Sequence, residues 1–427
     1  MAAPTRPTVT YNGFDITAEV FGVDMRRGRS RELDQFQAGS GSVLVRNYDR
    51  NFDPPWFSVP AFLLMESGDF LLLENTDQIL LEQGSLASGS YGVMAIGGDI
   101  VVSDGAVDVF TGHVSDINYS YDVSGRTQAT LVLSDALGAI GGCTFAAETY
   151  TVTDPLTGDV ETLPGWETTD GQFSGARILE ILNRDDVNVA FGVGTIDTGS
   201  IPLQGDIVAA GTNVLQYMQK IAETEQGKLW LDADGNIQYR GRYSFPSATP
   251  VADFDDNDTN YSFNETIGIM FGGELRAWSA TVTRAGGLPQ TADSAVSPPA
   301  TLGPSTISIS GVLLRDDVYA LSLAEFLAEK YSNPEAVVST LRIYLHGLST
   351  SDRATVAGVD INDTVTLTWQ PTGAGEIITQ TLVVEGVSYS ADYNGRTAID
   401  LQLVAYPETN YFTLDTDSMD GGKVLGY

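Results

Sequence analysis

Residues 212–242, TNVLQYMQKIAETEQGKLWLDADGNIQYRGR, decide the reading of this chain. Val214, Leu215, Met218, Ile221 and Ala222 recur at three- and four-residue steps, which places them on one face of a helix of roughly three turns. Asn213 is a capping residue for its start, Gln216 three positions on fits a reciprocal capping box, and Gly227 supplies the left-handed residue that ends many helices. Leu229 and Leu231 then alternate with Lys228 and Trp230, Asp232-Ala233-Asp234-Gly235 reverses the chain, and Ile237 and Tyr239 alternate on the way back. The stretch predicts an amphipathic helix lying across a two-stranded ribbon. A calcium loop would need glycine at its sixth position and glutamate at its twelfth; neither is present, so the aspartates read as a tight turn.

Around this unit, 427 residues are enough for roughly two to four domains with cores of their own. The single cysteine, Cys143, excludes an internal disulfide. The start, MAAPTRPTVTYNG, lacks the apolar core of a signal peptide. The most apolar run, FLLMESGDFLLLENTDQILLEQ, is broken by Glu66, Asp69, Glu74, Asp77 and Glu82, so no membrane span is expected. A formal net charge of −34 argues against a grip on nucleic acid or on an anionic membrane, although an acidic wall would let a duplex slide past. The same acidity also serves solubility. Seven arginines against six acidic residues give the first fifty positions a charge of +1, leaving −35 for the rest. Arg26, Arg27, Arg29 and Arg31 are therefore candidate interface residues for an acidic partner surface.

In chain order, Val9, Tyr11, Phe14, Ile16 and Val20 suggest strands turned at Asn12-Gly13, and Val43 and Val45 a short strand stopped by Pro54-Pro55. Residues 62–85 repeat a unit of eight, FLLMESGD, FLLLENTD, QILLEQGS, which predicts a small β-meander. Its leucines, with Leu64, Leu72 and Leu80 in register, call for cover from this chain or from a neighbouring subunit. Two long strands follow between Val109 and Ile140 around Ser124-Gly125, then a helical turn capped by Ser134 or Asp135. Residues 145–171 read as a polar loop between domains. A helix capped by Ser174, with Ile178, Leu179 and Leu182 inward, leads to the deciding stretch. Beyond a second loop, a third helix is expected over about 317–331, capped by Asp316, and then strand after strand to about 406.

Several of these segments carry a resemblance. RGRSRELDQFQAGSGSVLVRNYDRNFDP, the strands containing FTGHVSD and DAL, WSATVTR, DINDTV and VVEGVS occur in an order similar to that of minor tail proteins of siphophages infecting actinobacteria. The helix–hairpin unit resembles one found in late-control gene D type hubs of tailed phages and contractile injection systems. The resemblance covers nearly the whole chain except residues 56–105 and the last twenty. It implies an α+β, mainly antiparallel β chain: a first β-barrel-like domain over 1–145 with the meander inserted at about 56–105, a small α/β domain over 146–250, a second β-barrel-like domain over 251–406, and a tail over 407–427. It further implies a virion protein of the tail tip, made in the host cytoplasm. Such a homotrimer would join the tail tube or distal tail ring to the spike or fibres and surround the DNA exit path. Two similar barrels taken three times would match a sixfold tube.

Catalytic patterns are scarce. Asp197-Thr198-Gly199-Ser200 matches the aspartic protease motif, but no second Asp-Thr-Gly or Asp-Ser-Gly completes a dyad, and threefold symmetry has no twofold axis to supply one. There is no G-x-x-x-x-G-K, no G-x-S-x-G and no H-E-x-x-H, and two histidines with one cysteine cannot build a standard zinc centre. His113 reads as a surface or packed histidine, and Asp253, Asp255, Asp256 and Asp258 lack the glycine of a calcium loop. No catalytic, cofactor-binding or metal residue is assigned. A different reading, a receptor- or carbohydrate-binding module for the host envelope, would use a tryptophan platform, and Trp166, alone in a loop, is its candidate.

Overall fold

The computed structural model describes residues 6–407 apart from 33, 49–51, 54–94, 124–126, 154–156, 158, 188–190, 257–259, 264–266, 271–275, 299–304, 333–335 and 372–374. The predicted meander with Leu64, Leu72 and Leu80, the turn at Ser124-Gly125 and the tail beyond 407 lie outside the described residues. Among the described residues the α-helices are α1 (Ala136–Gly141), α2 (Ser174–Leu182), α3 (Val214–Glu225), α4 (Asp317–Ser332) and α5 (Thr350–Ala357).

Helix α3 forms where its apolar spacing places it. The Asn213 side chain accepts from the Gln216 N–H at 3.0 Å, and Val214, Met218, Ile221 and Ala222 are buried. The left-handed residue at its end is Gln226, φ 56°, rather than Gly227. Gly227 is small for another reason: a Cβ there would crowd the Arg240 carbonyl and the Tyr239 ring. Helix α2 also departs from expectation. Ser174 is its first residue and not its cap, and Ile181 is buried where Leu179 is 40% exposed.

The strands Lys228–Leu231 and Asn236–Arg240 pair antiparallel, from Lys228 opposite Arg240 to Leu231 opposite Ile237. Gly235 (φ 84°) makes the reversal, and the Asp232 carboxylate accepts from the Asn236 N–H at 2.8 Å. Gly192–Ile196 adds a parallel third strand. The ribbon is buried on both faces. Leu229 and Leu231 join the core under α2 and α3, whereas Trp230 points the other way into the core of the main sheet, its ring 6.2 Å from Phe36.

Among the described residues that main sheet has fourteen strands. Its centre is the pairing of Val20–Gly28 with Gln37–Arg46 on one side and with Ile378–Ala391 on the other. Beyond Gln37–Arg46 come Thr127–Ser134, Val107–Tyr121, Asp99–Asp104 and Thr8–Tyr11. Asp99–Asp104 is thus an integral strand of the sheet. Ile378–Ala391 also pairs with Thr364–Trp369 and Thr397–Ala405, and Val337–Tyr344 follows on the latter. The segments read as separate barrel-like domains therefore share one sheet and one core, which runs from Val9 to Leu403. Among the described strands the sheet does not close into a barrel. The class is α+β, mainly antiparallel β.

Smaller sheets lie beside the main sheet, among them the pairing of Trp166–Glu167 with Ile207–Val208. Ser279–Arg284, Gln290–Asp293 and Thr306–Val312 form a three-stranded sheet covered by α4 through Ala320, Leu323, Ala324 and Leu327. Asp316 caps α4, accepting from the N–H groups of Val318 and Tyr319. Thr149–Thr153 and Val160–Pro164 form a separate two-stranded ribbon where a loop was expected. No described helix is long and apolar enough to cross a membrane.

Gly28 sits at the central crossing with φ 91°, and a Cβ would overlap the Glu385 carbonyl and the Gly386 Cα. Gly28→Val is expected to cost at least about 1–3 kcal/mol, because both backbone strain and overpacking apply. Urea denaturation reads this, and an unchanged midpoint would show that the crossing tolerates a side chain.

Candidate functional site: a buried ionic seam

The crossing of Val20–Gly28 and Ile378–Ala391 is fastened by charge. Along Val20–Gly28 the inward positions are Val23, Met25 and Arg27, alternating with exposed Asp24 and Arg26. Arg27, 5% exposed, donates to the Val109 carbonyl at 3.2 Å, to the Leu231 carbonyl at 3.2 Å and to the Asp360 carboxylate at 2.8 Å. Asp360 also accepts from the Ala233 N–H at 2.8 Å, so the tight turn of the helix–hairpin unit is held by the same pair. One residue further, the chain meets a register shift of the partner strand between Val384 and Gly386, which leaves Glu385 at a bulge with its side chain buried. The Glu385 carboxylate takes Arg29 at 2.6 Å and Lys228 at 2.5 Å, and its carbonyl accepts from the Arg29 N–H at 2.9 Å. Burial alone would push the Glu385 carboxyl up; Lys228 and Arg29 beside it outweigh burial and hold it down at about 2.

A second buried pair ties the same halves. The Asp104 carboxylate, fully buried at the end of Asp99–Asp104, accepts from Arg353 on α5, one contact being 2.8 Å, and from the Tyr389 hydroxyl at 2.7 Å. Burial, and then Asp104 itself, push the Tyr389 hydroxyl far above its ordinary range, so it stays protonated and donates. A third contact secures α1: Asp135 accepts from the N–H groups of Gly39 at 2.5 Å and Gly138 at 3.1 Å. Burial raises its pKa to about 6 against those donors.

Arg27 and Arg29 are therefore spent inside the chain, and as surface contacts they are corrected: an arginine in this setting is desolvated and paired. Arg26 remains exposed and donates to Ser30, and Arg31 is exposed. Trp166 is likewise corrected. It is 7% exposed, stacks on Phe145 at 5.4 Å, meets Tyr217 edge-on and carries the Arg184 guanidinium over its ring at 4.4 Å, so no face is left for a sugar.

The Asp197–Ser200 stretch wraps a buried carboxylate of α3. Glu225 accepts from the Ser200 N–H at 2.8 Å, from the Tyr239 hydroxyl at 3.1 Å and from the Ser174 hydroxyl, and a Cβ on Gly199 (φ 85°) would collide with Ser174 and Glu225. The Asp197 carboxylate lies 3.9 Å from Arg240. A glycine–serine turn around a buried glutamate accounts for the motif without catalysis. His113 is half-buried, and burial pulls its pKa below the ordinary value against Asp99. Asp255 is buried and accepts from the Asn260 N–H, Asp256 accepts from the Gln370 N–H, and no cluster among the described residues could hold a metal ion. Asp104, Glu225, Arg353 and Glu385 were not singled out by sequence. The period-two alternation Val23, Met25, Arg27 was the available signal for the inward arginine.

No family model matches the chain, and no curated protein matches it. Two solved structures share its fold along nearly the full length. The 43 kDa tail protein of prophage MuSo2 from Shewanella oneidensis is similar with a TM-score of 0.54 at 15% identity, over 94% of this chain and 98% of that one. The tail protein from Neisseria meningitidis MC58 is similar with a TM-score of 0.55 at 14% identity, over 93% and 95%.

Arg353→Met, which strands Asp104 in the core, is expected to cost about 3–5 kcal/mol, and the Asp104→Asn/Arg353→Met double variant to regain much of it. Additive losses in denaturant titrations would mean that the pair is uncoupled. For Glu385, a folded pKa of about 2 lies below its ordinary value of 4.5. The stability it contributes is complete above that ordinary value and drains away as pH falls toward about 2. Glu385→Gln should therefore be less stable than the parent near neutrality and show a shallower loss across that acid window; parallel pH profiles would refute this assignment.

Proposed function

We propose that this chain is a structural subunit of a bacteriophage tail, of the hub type at the tail tip. It joins the tube or distal tail ring to the spike or fibres, surrounds the DNA exit path and acts as a homotrimer. The observation that carries the reading is the likeness to two tail proteins over 94% and 93% of this chain. The buried ionic seam supports it. A subunit that transmits load between a tube and a spike gains from halves that cannot hinge, and each contact of the seam joins segments distant in sequence. The charge of −34 suits a wall past which a duplex slides.

The alternative, a carbohydrate-binding module, loses its candidate contact with Trp166 inside the core. Glycan arrays are expected to stay blank for the isolated protein. Light scattering across a concentration series should give the mass of three copies, and labelled antibody on intact virions should decorate the end of the tail. Labelling confined to the head or the tube shaft would overturn the hub reading, and specific glycan binding would favour the alternative.

A further inference from the structure

Carboxyls from distant parts of the chain converge on the Arg27 guanidinium and outnumber it. Asp360 is the centre: one of its oxygens accepts from Arg27 at 2.8 Å and from the Ile361 N–H at 2.7 Å, the other from the Ala233 N–H at 2.8 Å. Asp363 lies behind it, its carboxyl accepting from the Asp360 N–H at 2.9 Å. On the hairpin turn, Asp234 faces Asp232, Asp108, Asp360 and Arg27. Asp135, the cap of α1, binds the Gly39 N–H at 2.5 Å and also faces Arg27.

The loop over 360–363 has no room to spread. The Val384 N–H donates to the Asp363 carbonyl at 2.9 Å, and the Asn362 N–H donates to the Val384 carbonyl at 2.8 Å, which latches the loop to the longest strand. The Asp363 N–H turns back to the Asp360 carbonyl at 3.1 Å, and Asn362 is held left-handed at φ 71°. A backbone fixed at these points keeps the Asp360 and Asp363 carboxyls together whatever their charge. Their repulsion is relieved by a proton rather than by movement.

We propose that this joint is a pH-sensitive catch: in mildly acidic solution Asp363 and Asp135 each take up a proton, and the hairpin turn, the amino-terminal strands and the 360–363 loop are held more firmly than in neutral solution. Burial, and then Asp360, raise the Asp363 carboxyl from 3.8 to about 6, and burial raises Asp135 to about 6 against its N–H donors and Arg27. A carboxyl raised in this way takes its proton in the folded protein before the unfolded chain does. Stability therefore climbs as pH falls through about 6, and the climb ends at the ordinary value of 3.8. Glu385 has the opposite sign and begins its loss below 4.5. His113, which burial lowers, also loses stability on acidification, so parent and variant are compared at each pH. The catch does not rest on the tail reading.

The test follows urea unfolding of the full-length parent and Asp363→Asn from about pH 7.5 to about pH 5, in about 0.5 M salt so that exposed charges are screened and the buried joint much less. Asparagine keeps an oxygen for the Asp360 N–H and carries no charge. The folding equilibrium constant of the variant, divided by that of the parent, is expected to fall about tenfold from the upper pH to the lower. Asp135→Asn, which remains a helix cap, should show the same trend. In the parent, hydrogen exchange at the Ala233 N–H, corrected for its intrinsic pH dependence, should slow over that range. A ratio that stays constant or rises as pH falls would overturn the catch, and so would constant exchange at Ala233.

Discussion

The contact on which the rest depends is the Glu385 carboxylate between Arg29 and Lys228. Three segments far apart in the chain, the residue that follows Val20–Gly28, the first strand of the helix–hairpin unit and the longest strand of the carboxyl-terminal half, each place one charged group there. Burying one carboxylate alone is costly; burying it with two cations and a backbone bulge aimed at it turns the cost into a specification of which strands meet. Arg27 and Asp360 repeat the device one strand turn away and extend it to the hairpin turn. Gly28 and Gly386 then allow the two backbones to approach closely enough for both pairs to form.

The same crossing explains why the helix–hairpin unit is central rather than appended. Its ribbon has one side under α2 and α3 and the other, through Trp230, in the main core. Removing the unit would take Trp230 out of the main core and leave Glu385 without Lys228. The two halves of that sheet share one core, which the small α/β unit enters through Trp230, while the sheet under α4 has a core of its own.

How much was legible in sequence follows from the range of the interactions. Helix α3, its Asn213 cap and the Gly235 turn rest on neighbours within about four residues, and spacing alone revealed them. The ionic seam was not legible, because Arg29 and Glu385 are separated by more than three hundred positions and nothing in a single sequence ties them. Counting charge by segment turned the arginines of the first fifty residues into a surface, although the alternation of Val23, Met25 and Arg27 pointed Arg27 inward. Trp166 was misread for a similar reason. Its polar neighbours in sequence are not its neighbours in space, which are Phe145, Arg184 and Tyr217. The Asp197–Ser200 motif showed the reverse hazard, since a familiar string can be the ordinary answer to packing a turn around a buried glutamate.

Pairing Val20–Gly28 with a strand that ends at Ala391 has a consequence for biosynthesis. On the ribosome the amino-terminal strand waits for a partner made more than three hundred and fifty residues later, roughly 20–70 s at ordinary elongation rates. Throughout that interval its edge is unpaired, and Arg29 lacks its carboxylate. A chain that terminates early never fills that edge and never completes the body. Completeness of translation is thereby written into the fold, and a prematurely ended subunit would lack the crossing of Val20–Gly28 with Ile378–Ala391 that a finished one carries.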